Sequence, residues 1–154
     1  MLVSNTGQLT HLAQIGLFEA LALLGTIYIP ARVFDEVCIS KSPGTRELKE
    51  AQYIKIISVN EEILSNVKKR NNIKLHEAEE HAITLCEQLN IALFLTDDMN
   101  ARKVAKQLGF KVQQQGILLK DTGLTRKEAS DLRVRLTTFE SDWNMPGMEA
   151  YDEL

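Results

Sequence analysis

The chain predicts an α/β fold in which helices flank a central, mainly parallel sheet. Short β-type runs alternate with longer helical ones along its whole length, with no repeat, linker or low-complexity segment. Helical runs separate the strands, which favours parallel pairing over hairpins. One apolar run, Ile91 to Leu95, stops abruptly at Thr96, Asp97 and Asp98, and charged strand ends of this kind are where open α/β sheets place their chemistry.

Each element follows from local pattern. Leu2 to Ser4 reads as a first strand ending at Asn5, and Thr10 to Leu24 as one or two helices broken near Gly16. Thr26 to Ile29 is a second strand. Pro30 fits a first helical position and opens a helix through about Ile39, before the turn residues Ser40, Ser42, Pro43 and Gly44. A short helix spans Thr45 to Gln52, and Ile54 to Val59 is a third strand. Glu61 to Arg70 is a charged helix, Leu75 to Leu89 a stronger one, and Ile91 to Thr96 reads as the central strand. Gly109 closes the next helix, Lys111 to Gln113 adds an edge strand, and Gly116 to Lys120 and Thr125 to Leu136 read as helical. Trp143 to Leu154 carries no clear pattern. One domain is expected over residues 1–140, with 141–154 as a tail.

Composition bounds the function. The 154 residues are enough for a sizeable core. A net charge of −3 argues against broad non-specific nucleic-acid binding while allowing a local basic patch. No basic residue precedes Arg32, and His11, Gln14 and Glu19 interrupt the apolar stretch Leu9 to Leu24, so neither a secretory leader nor a membrane span is expected and the cytoplasm is the expected location. The two cysteines, Cys38 and Cys86, lie among apolar residues without metal-like spacing and read as structural.

Projected at about 100° per residue, the helix from Leu75 places Leu75, Ala78, Ala82, Ile83, Leu85, Cys86 and Leu89 on one arc. His76, Glu77, Glu80, His81, Thr84, Glu87 and Gln88 fall on the other. Glu79 breaks the pattern, since it projects between Cys86 and Ile83. A carboxylate on a core-facing stripe needs a partner: either a buried ion pair or helix cap, or a role as metal ligand or catalytic acid at the sheet edge. Glu36 flanks the arc of Val33, Phe34 and Val37, and Arg32 four residues earlier offers an ordinary surface pair. His76 and His81 lie five apart rather than four, about 140° around the helix, so a zinc-protease site is not expected. His11 reads as a surface or packing residue. The sequence carries no phosphate-binding glycine loop, nucleophile elbow or Cys/His catalytic spacing.

Several of these segments together resemble the PIN-domain proteins, the fold of prokaryotic VapC-type toxin ribonucleases. The resemblance runs from Leu2 to about Leu136. It rests on Val3-Ser4-Asn5-Thr6, on Tyr28-Ile29-Pro30 followed by Val33 and Asp35-Glu36-Val37, on the Leu75 to Cys86 helix with Glu79, on Leu95-Thr96-Asp97-Asp98 followed by Ala101-Arg102, and on Gly116-Ile117-Leu118-Leu119. It implies a three-layer PIN-like fold with acids gathered at the carboxyl edge of the sheet. Asn5, Glu36, Glu79 and Asp98 would hold Mg2+ or Mn2+, hard cations that take oxygen ligands and keep several waters. Glu36, Glu79, Asp97 and Asp98 would be the catalytic acids. Thr6, Arg102 and Lys103 would meet RNA; Thr6 and Thr96 could equally cap the helices that follow them. The implied activity is hydrolysis of single-stranded RNA by a toxin with a small antitoxin protein as partner, in a homodimer. The alternative is a weakened module that binds RNA or protein without cutting. The chain departs from the family pattern at Asn5, where an aspartate is usual, at His76 and Ala78, which replace an acid and a glycine, and at His81, which replaces another acid.

Overall fold

Five strands form one parallel sheet in a computed structural model that describes residues 1–39 and 42–113, all within the unit Met1–Gln115. The strands are β1 (Leu2–Ser4), β2 (Ile27–Pro30), β3 (Ile54–Ile57), β4 (Leu93–Leu95) and β5 (Lys111–Gln113), in the spatial order β3-β2-β1-β4-β5. The helices are α1 (Thr6–Gln14), α2 (Ala31–Ile39), α3 (Thr45–Glu50), α4 (Glu61–Lys69), α5 (Glu77–Gln88) and α6 (Met99–Gln107), with a 3₁₀ segment at Phe18–Leu24. The expected helices at Gly116 to Lys120 and Thr125 to Leu136, the 140/141 boundary and the tail lie outside the described residues. Among the described residues, no helix is long and apolar enough to cross a membrane.

The steps β1→β2→β3 run one way across the sheet and β3→β4→β5 the other. Right-handed crossovers then put the two sets of connections on opposite faces. On the α4–α6 face, Val3, Phe94, Val67, Ala82, Ile83, Leu85, Cys86, Val104 and Ala105 form a continuous core. Each fully buried Ile, Leu or Phe there contributes about 1.5–3 kcal/mol. In-register pairing of Val3 with Tyr28 and with Phe94 sets this face, and the intervening Leu2, Ser4, Ile27 and Leu95 turn to the other. Helix α2 touches α1 and α3 as well as α5. It thereby joins the two helical layers beside the strand ends.

Several boundaries differ from the expected ones, each for a local reason. Helix α1 starts at Thr6 rather than Thr10, because Asn5 takes the extended N-cap conformation (φ −97°, ψ 179°) and the helix begins before its apolar stripe does. Pro30 ends β2, paired with Ile57, instead of opening α2: its missing N–H is tolerated at the end of a strand as it would be at a helix start. The first turn expected from Leu75 is not helical; His76 is the N-cap and α5 starts at Glu77. Strand β4 is shorter than Ile91 to Thr96, and the middle of the sheet is β1, not β4. Strand order depends on where the β3→β4 crossover lands, which apolar pattern does not encode. Gly109 closes α6 as expected, at φ +89°, a conformation that only glycine adopts without strain.

Candidate active site

The sheet changes direction between β1 and β4, and the crevice beyond the carboxyl ends of strands at such a point is the ordinary ligand site of open α/β sheets. Asn5 follows β1 there, and Thr96-Asp97-Asp98 follows β4. The two ends are tied together. Asn5 Nδ2 donates to Thr96 Oγ1 at 2.9 Å, and the Asn5 backbone N–H donates to Leu95 O at 3.4 Å. Thr96 is fully buried, and its hydroxyl also accepts the Asp98 N–H at 3.2 Å. The Asn5 side chain does not cap α1; it spans 91 residues to hold the neighbouring strand end.

Glu79 is buried, 9% exposed, as its place on the apolar arc required. Its Oε2 accepts the N–H of His76 at 3.1 Å, so it caps its own helix. Burial pushes its carboxyl up to about 7; Asp98 and then Glu36 push the same way, and His76 pulls back through that hydrogen bond and its charge. The cap is therefore present, and it leaves Glu79 within the field of two other acids. The same helix corrects one assignment: Thr84, placed on the solvated arc, is fully buried. Helices α2, α4 and α6 and the sheet all contact α5, so it is covered from several sides. The Thr84 hydroxyl is satisfied by donating to Glu80 O at 2.7 Å.

The adjacent carboxylates of Asp97 and Asp98 have different surroundings. Asp98 is the N-cap of α6, its Oδ1 accepting the Ala101 N–H at 2.5 Å, and it is the stronger of the two acids acting on Glu79. Asp97 lies beside α1, with its Oδ2 3.9 Å from His11 Nδ1. Glu36 is exposed on α2, and its Oε2 accepts the Thr6 hydroxyl at 2.6 Å. Thr6 thus sits inside the first turn of α1 and holds a carboxylate; neither it nor Thr96 is the cap residue of the next helix. Arg32 reaches Glu77 at 2.9 Å. Arg102, half-buried, and Lys103, exposed, stand on the first turns of α6 directly after Asp98.

Glu36, Glu79 and Asp98 are thus brought into one field, Asn5 is tied to the strand that carries Asp98, and Asp97 is at its rim. His11 was not foreseen. It lies six residues after Asn5, and only the packing of α1 against the β4 end brings it to Asp97; no spacing in the sequence signals that contact.

The chemistry of this donor set fits a hard divalent cation. Every candidate ligand atom is an oxygen, and Asn5 Oδ1 is a buried acceptor with no hydrogen-bond partner. Among the described residues, no three His, Cys, Asp or Glu side chains form a closed metal cage. A cation held by one or two carboxylates and completed by water, the usual manner of Mg2+, needs none.

No curated protein matches the chain. A family described as PIN domain matches residues 1–137, spanning the parallel sheet, Asn5, Glu36, Glu79 and the Asp97-Asp98 pair. With an all-parallel α/β sheet and acids at its switch point, the chain belongs to the PIN-domain family.

Proposed function

We propose that this protein is a divalent-metal-dependent endoribonuclease that hydrolyses phosphodiester bonds in single-stranded RNA, and that it serves in the cytoplasm as the toxin of a type II toxin–antitoxin pair. The observation that carries the reading is the state of Glu79. It is a buried carboxyl pushed to about 7 by burial and by Asp98 and Glu36, on the sheet edge where Asn5 Oδ1 lacks a partner. A bound cation relieves both deficits.

Glu79, Asp98, Glu36 and Asn5 would hold Mg2+ or Mn2+. When bound, the ion would neutralise phosphate charge and lower the cost of generating the attacking hydroxide. The protein's own groups set the geometry. The N-cap bond fixes Asp98, the His76 N–H fixes Glu79, the Thr6 hydroxyl fixes Glu36, and Thr96 fixes Asn5. Arg102 and Lys103 would contact backbone phosphates and set the RNA's register without reading its bases. A small antitoxin would cover the same acidic groove, and a homodimer would present two grooves.

The test is cleavage of a single-stranded RNA by purified protein with Mg2+ or Mn2+, with loss of cleavage in chelator and in Glu79→Gln and Asp98→Asn. Metal-independent cutting, or cutting that survives both substitutions, overturns the mechanism. The neutral side chain at Asn5 supports one other reading, a module that binds RNA or protein without cutting. RNA binding with no cleavage in any divalent ion would establish it.

A further inference from the structure

Hydrolysis of a phosphodiester leaves a ribose oxygen that must gain a proton as its bond to phosphorus breaks, and the carboxylates, amide and hydroxyls described above do not readily supply one once they surround a cation. The structure places an imidazole at the rim of that cluster. His11 Nδ1 lies 3.9 Å from Asp97 Oδ2, and both side chains are about one quarter exposed, 26% and 27%. Asp97 immediately follows Thr96, whose hydroxyl holds Asn5 at the head of the same helix that carries His11. Helix α1 is therefore anchored to the β4 end both at Asn5 and, nearly two turns later, at His11.

We infer that His11, held by Asp97, is the general acid that protonates the leaving ribose oxygen; the inference rests on the ribonuclease reading above. A carboxylate beside one ring nitrogen orients the imidazole, while the other nitrogen lies across the ring and carries the transferable proton. In the step, water adds to phosphorus, and the bond from phosphorus to the leaving oxygen breaks with its electron pair remaining on that oxygen. The Nε2 proton of His11 passes to it, the proton of the attacking water passes to solvent, and His11 recovers its proton from solvent. This division of labour gives the two adjacent aspartates separate tasks: Asp98 serves the cation and Asp97 the acid. His76, the other imidazole close to the acids, occupies the N-cap of α5 and its backbone N–H already holds Glu79.

The test compares an ordinary RNA with RNAs carrying sulfur in place of the 3′- or the 5′-bridging oxygen at the cleavage site, with Mn2+ throughout because sulfur binds it well. A thiolate leaves without a proton. The expected result is that His11→Gln slows cleavage of the ordinary RNA by about 100-fold, whereas one of the two sulfur-bridged RNAs is cut by His11→Gln at nearly the wild-type rate. Asp97→Asn should show the same selective loss, and His76→Gln should not. Equal loss on all substrates, no loss on ordinary RNA, or selective rescue in His76→Gln instead overturns the assignment. Wild-type protein that cuts none of these RNAs overturns the ribonuclease reading itself, and the assignment with it.

Discussion

Replacing Glu79 by glutamine separates the electrostatic cost of this site from everything else that titrates. The Glu79 carboxyl stands at about 7 in the folded protein against 4.5 for the ordinary value. Below about pH 4.5 the group is protonated in both folded and unfolded chains, and above about pH 7 it is ionised in both. Between these limits the folded protein keeps a proton that the unfolded chain has lost, so stability falls as pH rises through the window. A displacement of about 2.5 pH units at 1.36 kcal/mol each gives a loss of about 3 kcal/mol. Glutamine cannot ionise and carries no such slope. Urea or thermal unfolding in chelator, with wild type and Glu79→Gln side by side from about pH 4.5 to pH 8, reads the difference directly. The variant should gain about 3 kcal/mol on wild type across that range, or roughly 6–12 °C in Tm for a chain of this size. Mn2+ at about pH 8 should recover much of the deficit in wild type and little in the variant. A stability difference that stays constant with pH would refute the claim that Glu79 is ionised at a cost.

Three further outcomes follow from named contacts. Asn5→Asp should tighten Mn2+ binding in calorimetric titration at neutral pH while lowering stability of the metal-free protein, since it puts a carboxylate at a buried position; unchanged affinity would place residue 5 outside the metal's reach. Thr6→Val removes the 2.6 Å bond to Glu36 and should weaken Mn2+ binding several-fold at a stability cost of about 1 kcal/mol or less, with Thr6→Ser restoring binding. Asn60 caps α4 by accepting from the N–H groups of Glu62 and Ile63 at 2.9 and 3.2 Å, so Asn60→Ala should cost about 1 kcal/mol and leave cleavage untouched, which separates loss of stability from loss of function.

The fold class was legible because its signals are local. Apolar runs of three to five residues bounded by turn residues mark β2 and β4, and helical periodicity marks α4 to α6. Glu79 was legible for the same reason, as one charged residue on an otherwise apolar arc can be recognised from helical geometry alone. Element starts were less so. Asn5 sets the beginning of α1 by backbone conformation, and β2 ends at a proline that could equally have opened the next helix. Thr84 was misplaced because a single projection assumes one buried face, and α5 is covered from several sides.

The sequence by itself determined which residues could do chemistry: oxygen donors at strand ends, one buried acid, and basic residues on the helix after Asp98. Side-chain type and periodicity are properties of neighbours along the chain, so they survive without a structure. Only the tertiary structure decided how those groups divide. The strand order set β1 beside β4 and brought Asn5 to Thr96 across 91 residues. Helix α2 carried Glu36 to Thr6, and the packing of α5 set Glu79 in the field of Asp98. Two aspartates adjacent in sequence were separated in role, Asp98 toward the acids and Asp97 toward His11. That separation is a property of distances between elements remote along the chain, fixed by the crossover and by burial rather than by any local pattern.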